Sequence, residues 1–207
     1  MNTRTLAEII AKNINGCGDI AVMETIIYFV RHAESIYVEG KDRTRGLSDQ
    51  GMKDAQTIRT ILKSEDIDMF VSSPYKRSIE TIRLAANEYK KEIHIEEDLR
   101  ERTIGDFSTG TFKEAKYHVY KEMDFAFPGG ESSIDAQKRS VRAITSIIDK
   151  NKGKKIVVGT HGDIMTLMMN FFNKQYEYTF WETTSMPDIY KLRIEGHDLI
   201  EVIRMWG

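Results

Sequence analysis

A single cysteine, Cys17, occurs among the 207 residues. One thiol cannot close an internal disulfide, and a cysteine-based metal site needs several, so disulfide scaffolds and zinc ribbons are excluded together. The five histidines, His32, His94, His118, His161 and His197, show no H-x-x-x-H or comparable ligand spacing. An excess of one charge sign is missing too: 30 Lys and Arg face 32 Asp and Glu, a formal net charge of −2. That balance gives no global attraction to nucleic acid, so basic residues must act locally. No apolar run reaches the roughly 18 residues of a membrane span. Glu8, Lys12 and Asn13 interrupt the N-terminus where a secretory signal is continuously apolar. A cytoplasmic protein with no metal and no cofactor is expected.

What remains is ordinary soluble composition, 41% hydrophobic and 30% charged, at a length that suits one domain. Residues 1–22 read as an N-terminal extension, in which Leu6, Ile9, Ile10 and Ile14 mark a short amphipathic helix ended by the Gly16-Cys17-Gly18 turn. The domain then spans 23–207. Its organising stretch is 25–35, where an apolar strand over 26–30 runs out into Arg31-His32. A continuously apolar strand suits the middle of a sheet covered on both faces, and in open α/β sheets ligands bind beyond the carboxyl ends of such strands. Arg31 and His32 therefore stand at the mouth of a site.

Downstream, loop 36–46 carries Lys41, Arg43 and Arg45, either as a solvated loop or as neighbours of whatever binds beside His32. Ser48 or Asp49 caps a helix that buries Ala55, Ile58, Ile61 and Leu62 and ends near 64. A strand over 67–72 leads to Ser73-Pro74, with Ser73 as cap, Pro74 at the first helical position and Arg77 in the first turn. A cation there opposes the helix dipole, which points to an anionic ligand unless Arg77 simply snorkels on the surface. Tyr75, Ile79, Ile82 and Ala86 give that helix its core face. After a strand over 93–97, Glu101 lies between Arg100 and Arg102, where it could equally belong to a surface charge ladder. A helix over 111–124 turns Phe112, Ala115, Val119 and Met123 inward, and Ser132 with Asp135 caps a further helix that buries Ile134, Val141, Ile144 and Ile148. A buried strand over 155–159 runs into Thr160-His161-Gly162, followed by an apolar helix. Strands over 189–194 and 199–205 close one edge as a hairpin. His94, His118 and His197 read as solvent-facing.

Six motifs in order carry a resemblance: Arg31-His32-Ala33-Glu34-Ser35, Leu47-Ser48-Asp49-Gln50-Gly51, Ser72-Ser73-Pro74-Tyr75-Lys76-Arg77, Leu99-Arg100-Glu101 with Gly105 and Phe107, Pro128-Gly129-Gly130-Glu131-Ser132, and Thr160-His161-Gly162. The chain resembles the histidine phosphatase superfamily, which includes the cofactor-dependent phosphoglycerate mutases. The resemblance implies a three-layer α/β/α sandwich with a mostly parallel mixed central sheet. It also implies catalytic roles for His32 as nucleophile, Glu101 as proton donor, and Arg31, Arg77 and His161 as stabilisers of the transferring phosphoryl group. Ser35, Arg43, Arg45, Gly46 and Gly162 would bind substrate, Gly162 by letting backbone approach a phosphate.

The chemistry is self-consistent. A neutral imidazole nitrogen attacks phosphorus and splits one hard displacement into two easier ones. Arginines beside His32 disfavour its protonated form and neutralise the phosphoryl oxygens, the task that metal ions perform in many other phosphoryl-transfer enzymes. Glu101 must hold a proton near neutral pH in order to donate it.

Ala33 replaces the signature Gly, Phe107 replaces the usual Trp without the Glu-Gly that follows it, and Val38 stands where mutases carry Asn. Only 29 residues separate Glu101 from Glu131, where mutases have a longer insertion. The expectation is a histidine acid-type phosphatase hydrolysing phosphomonoesters without metal, with loop 36–46 and segment 105–128 setting specificity. A phosphoglycerate-type mutase and a non-catalytic phosphate-binding module are the alternatives. The expected partners are a small phosphorylated substrate and inorganic phosphate, with no nucleic acid and no membrane, and a homodimer left open.

Overall fold

The computed structural model describes residues 23–108 and 110–207. The extension over 1–22, with its expected helix and turn, lies outside the described residues. The rest forms a six-stranded mixed sheet of order β3-β2-β4-β1-β5-β6. Its strands are β1 (Glu24–Arg31), β2 (Met69–Ser72), β3 (Ile93–Ile95), β4 (Lys155–Thr160), β5 (Asp188–Glu195) and β6 (Asp198–Arg204). The helices are α1 (Asp49–Leu62), α2 (Lys76–Glu88), α3 (Phe112–Lys121), α4 (Ser133–Lys150), α5 (Gly162–Phe172) and α6 (Tyr178–Thr183). The strands β3, β2, β4 and β1 run parallel, while β5 and β6 are antiparallel.

Strand β1 is central because it is apolar on both faces. Ile27 and Phe29 pack with Ile144, Ile148, Met165 and Met168 of α4 and α5, whereas Ile26, Tyr28 and Val30 pack with Ile58, Leu62 and Ile82 of α1 and α2. The period of two along a strand thus feeds two separate cores, the three-layer arrangement expected. The C-terminal ends of β1 and β4 are in register, Arg31 opposite Thr160. The residues that follow them, His32 and His161, consequently emerge side by side.

Several boundaries differ from the expectation. Helix α2 begins at Lys76, not Pro74, because the Ser73 amide still pairs with the Gly159 carbonyl (2.9 Å) and Tyr75 remains extended. A residue before proline is driven out of the α region, so Ser73 still pairs with Gly159 just beyond the end of β2. Strand β2 starts two residues late, since Asp68 turns to bond both ways with the Lys155 backbone. Phe112, expected inward, is 51% exposed, and Lys116 is buried on α3 beside Ala115 and Val119. Ile134 is likewise exposed at the start of α4, where Ser133 and Ala136 are buried instead. His118 does not face solvent freely, because its ring packs on Phe125 at 4.3 Å between centroids. Among the described residues no helix is long and apolar enough to cross a membrane.

Candidate active site

His32 leaves the sheet with its amide bonded to the Thr160 carbonyl at 3.0 Å. Its ring is buried, and Nδ1 lies 2.8 Å from the Ala33 carbonyl oxygen. A carbonyl only accepts, so Nδ1 carries the hydrogen and Nε2 keeps its lone pair. Burial, the Arg77 guanidinium and then Arg31 and Arg45 push the imidazole down to about 3. The ring is therefore neutral across the physiological range.

His161, at the N-cap of α5, sits with its ring centroid 5.2 Å from that of His32. Its Nε2 is 2.7 Å from Ser73 Oγ, while the buried Nδ1 has no hydrogen-bond partner among the described residues. Burial first, then His32 and the arginines, hold it well below the usual histidine value. If Ser73 donates to Nε2, the hydrogen of the imidazole sits on Nδ1, ready for an acceptor. Ser73, expected as a helix cap, is thus used to orient a histidine.

Arg31 anchors through Nη1 on the Thr184 carbonyl (3.1 Å) and hydroxyl (2.6 Å). Its Nε, like that of Arg77, is buried without a partner among the described residues. Gly162 serves this guanidinium rather than standing open to a phosphate: a Cβ there would lie 3.0 Å from Arg31 Cζ. Arg77 is 2% exposed and lies under the Tyr75 ring at 4.7 Å, so it does not snorkel. Its Nη1 donates to the Asp42 carbonyl at 2.6 Å and faces Asp42 Oδ1 at 3.3 Å. Arg45 completes the cluster, donating from Nε to Asp42 (3.0 Å) and from Nη1 to Ser35 Oγ (3.0 Å).

Glu101 lines one cavity of about 690 Å³ together with Arg31, His32, Ser35, Arg45 and Arg77. Its carboxylate accepts from the Arg102 amide at 2.9 Å and the Asp163 amide at 3.4 Å. Burial, and then the negative Asp163, raise its pKa above the ordinary carboxylate value. The charge ladder does not form, because Arg102 turns inward to Asp163, donating from Nε (3.1 Å) and Nη2 (2.9 Å). Lys116 bonds the same carboxylate. The segment carrying Glu101 is fixed by Arg139, which holds the Asp98 and Arg100 carbonyls (2.6 and 2.9 Å) and pairs with Glu131. Behind it, Gly105 at φ +88° packs where a Cβ would lie 2.7 Å from the Gly130 amide nitrogen.

Two expected substrate residues are placed elsewhere. Arg43 makes a bidentate pair with Glu97 (2.9 and 2.8 Å), half exposed and outside the cavity wall, because Glu97 of the turn after β3 offers it the nearer carboxylate. Gly46 is packed on Lys76 and Glu80 of α2, also off the cavity. Asp42, Ser73, Lys116 and Asp163 belong to the site or its support without having been expected. Asp163, directly after His161-Gly162, is the one whose position signalled it. Among the described residues no group of three or more His, Cys, Asp or Glu side chains is placed to hold a metal ion.

Comparison with known proteins agrees with this geometry. The chain is 34% identical over 163 residues to phosphoglycerate mutase-like protein 4 of Arabidopsis thaliana, covering 71% of this chain and 70% of that one. It is 31% identical over 157 residues to a metal-independent phosphoserine phosphatase of the same plant, covering 68% and 66%. Its fold matches a mycobacterial glucosyl-3-phosphoglycerate phosphatase with a TM-score of 0.70 at 19% identity, over 87% of this chain and 97% of that one. A phosphoserine phosphatase from Entamoeba histolytica, in complex with phosphoserine, matches with a TM-score of 0.69 at 21% identity, over 86% and 96%. The family model described as histidine phosphatase superfamily (branch 1) matches residues 27–201, and the chain belongs to that family.

Proposed function

We propose that the chain is a metal-independent phosphatase that hydrolyses phosphomonoesters through a phosphohistidine on His32. The observation that carries this reading is the fixed tautomer: Nδ1 is committed to the Ala33 carbonyl, so Nε2 is the free nucleophile in a site walled by arginines. Nε2 attacks phosphorus and forms the N–P bond while the P–O bond to the leaving alcohol breaks. Glu101 gives its proton to the departing oxygen. Arg31 Nε, Arg77 Nε and His161 Nδ1, each buried without a partner among the described residues, supply donors to the equatorial oxygens. In the second step Glu101, now a carboxylate, takes a proton from water as its oxygen attacks phosphorus, releasing inorganic phosphate and restoring His32.

Two pKa displacements support the acid-type assignment. His32 stays unprotonated down to about 3, and Glu101 keeps its proton to higher pH than a free carboxylate. The window in which His32 is neutral and Glu101 protonated opens at both ends, its lower limit falling and its upper limit rising.

The test is phosphate release from an aryl phosphate and a panel of phosphorylated metabolites in excess chelator, with native chain and His32→Ala compared. Release that survives chelator and disappears in the variant, together with acid-labile phosphate bound to the native chain alone, is expected. Isomerised phosphoglycerate with little free phosphate would replace hydrolysis by mutase chemistry. Phosphate binding with no turnover of any ester would leave only a binding module.

A further inference from the structure

What holds Arg31 in place leads away from the cavity to the far edge of the sheet. Both hydrogen bonds of its guanidinium go to Thr184, in the short connection between α6 and β5 that also brings Met186 into the cavity wall. Asp188, the first residue of β5, stands opposite Arg31 in the β1–β5 pairing and is fully buried. A buried carboxylate needs donors for its lone pairs, and Asp188 has them. Its Oδ2 accepts from the Ser185 amide (3.0 Å) and the Tyr190 hydroxyl (3.1 Å), and its Oδ1 from the Ile189 amide (3.0 Å). The compensating charge comes from Arg204, the last residue of β6, whose Nε and Nη2 bind the two oxygens at 3.0 and 2.7 Å. The same Nη2 faces the Ser185 hydroxyl (3.1 Å) and the Thr183 carbonyl (3.4 Å), one residue to either side of Thr184. Every side-chain hydrogen bond of Arg204 among the described residues thus ends on the segment 183–188.

We propose that Arg204, on the outermost strand, is a positioning residue for Arg31: with Asp188 it clamps both flanks of Thr184 and so sets where Arg31 presents its Nε to an oxyanion. The inference rests on the reading of Arg31 as a holder of the phosphoryl group. An arginine side chain has many rotamers, and a donor serves an oxyanion only within hydrogen-bond distance, so its tether decides how often the productive geometry is occupied. Thr184 is that tether, and it lies in a connection rather than in a strand, so its place depends on side chains that fasten the connection to the sheet. The fastening carboxylate is buried while the Arg204 side chain is 41% exposed, which makes the outer end of the clamp the one a substitution can reach without opening the core.

Vanadate, an oxyanion close to phosphate in charge and shape, is titrated calorimetrically into the native chain, Arg204→Met, Arg31→Met and the double variant. Arg204→Met is expected to weaken vanadate binding about tenfold, the scale of one charged hydrogen bond. Once Arg31 is replaced, Arg204→Met should add less than about twofold, because a residue that acts through another has no separate effect. Arg193→Met, which removes ion pairs to Glu24 and Glu201 from the same hairpin away from Thr184, should leave the affinity unchanged. Unchanged affinity in Arg204→Met overturns the proposal. So does the same tenfold loss with and without Arg31, or an equal loss in Arg193→Met, since a general loosening of the hairpin needs no Arg31. If Arg204→Met does not fold, Arg204→Lys replaces it in the same cycle with the same outcomes, because an ammonium neutralises Asp188 without the planar fork that spans both flanks. The cycle reads oxyanion binding, so a chain that shows it yet releases no phosphate fails the phosphatase reading and keeps this one, and a phosphatase whose vanadate affinity ignores Arg204 does the reverse.

Discussion

The two ends of the cavity are built differently. At the phosphoryl end, Arg31 closes β1, His32 and His161 directly follow the paired strands β1 and β4, and the His32 amide is itself bonded across the sheet to Thr160. At the other end, the wall comes from the loop after Glu101 and from α3, which is tied to neighbouring helices, by Lys116 to Asp163 of α5 and by the Ser133 hydroxyl of α4 to the Val119 carbonyl. Backbone pairing fixes reacting groups to fractions of an ångström, whereas a loop and an outer helix can change composition without disturbing them. The contrast separates what makes the chemistry from what selects the substrate.

Glu101 lies at the junction, and its replacement gives the largest expected effect. Glu101→Gln should lower turnover of alkyl phosphates by roughly 10²–10⁴-fold, with a much smaller loss on an aryl phosphate whose oxygen leaves without a proton. It should also remove the alkaline limb of the pH–rate profile. Equal losses on both ester types, measured by phosphate release, would move proton donation to another group. Gly162→Ala acts purely at the phosphoryl end. Its Cβ displaces the Arg31 guanidinium, and kcat/KM should fall about 10–100-fold for every ester alike. A selective loss would break the division between the two ends.

Stability responds through His32 on a smaller scale. The folded imidazole refuses a proton down to about 3, while the unfolded one accepts it near 6.5. As pH falls through 6.5 the unfolded state binds more protons, and this group costs about 1.4 kcal/mol of stability per pH unit. Urea unfolding at pH 6.5 and pH 5.0 should therefore show a shallower loss for His32→Asn than for the native chain. An identical slope would mean that His32 titrates normally in the folded protein. The smallest effect is expected from Arg43→Ala, which breaks an exposed pair worth at most about 1 kcal/mol. Steady-state rates within about twofold of native on all esters would confirm that Arg43 stands outside the cavity.

Legibility of the sequence followed the same division. Strand β1 was readable from its apolar run, whereas Arg31, His32, Arg77 and His161 were singled out together only by the resemblance that several motifs in order carry, since an Arg-His pair or a first-turn Arg alone also suits an ordinary surface. Ser73 was misread because the same Ser-Pro that suits a helix cap also suits an extended turn, and only the cross-sheet bond to Gly159 decides between them. Lys116 was invisible for a stronger reason. Helical periodicity marks Phe112 as inward and a lysine as outward, yet a buried carboxylate from another helix reversed both. Arg43 and Arg45 are two residues apart and chemically identical, so only the positions of Glu97 and Asp42 tell which one turns toward the site.

Asp42 gives the loop over 36–46 a further property. Its carboxylate neutralises Arg45 and its backbone and side chain together cover Arg77, so the anion site already holds one negative group before any ester arrives. A phosphate dianion reaching Arg77 meets like charge at contact distance, and the Asp42 side chain, 64% exposed, is free to swing into water. Part of the cluster is thus charge-compensated in advance: Arg45 and Arg77 share one carboxylate, while Arg31 is held by the uncharged Thr184.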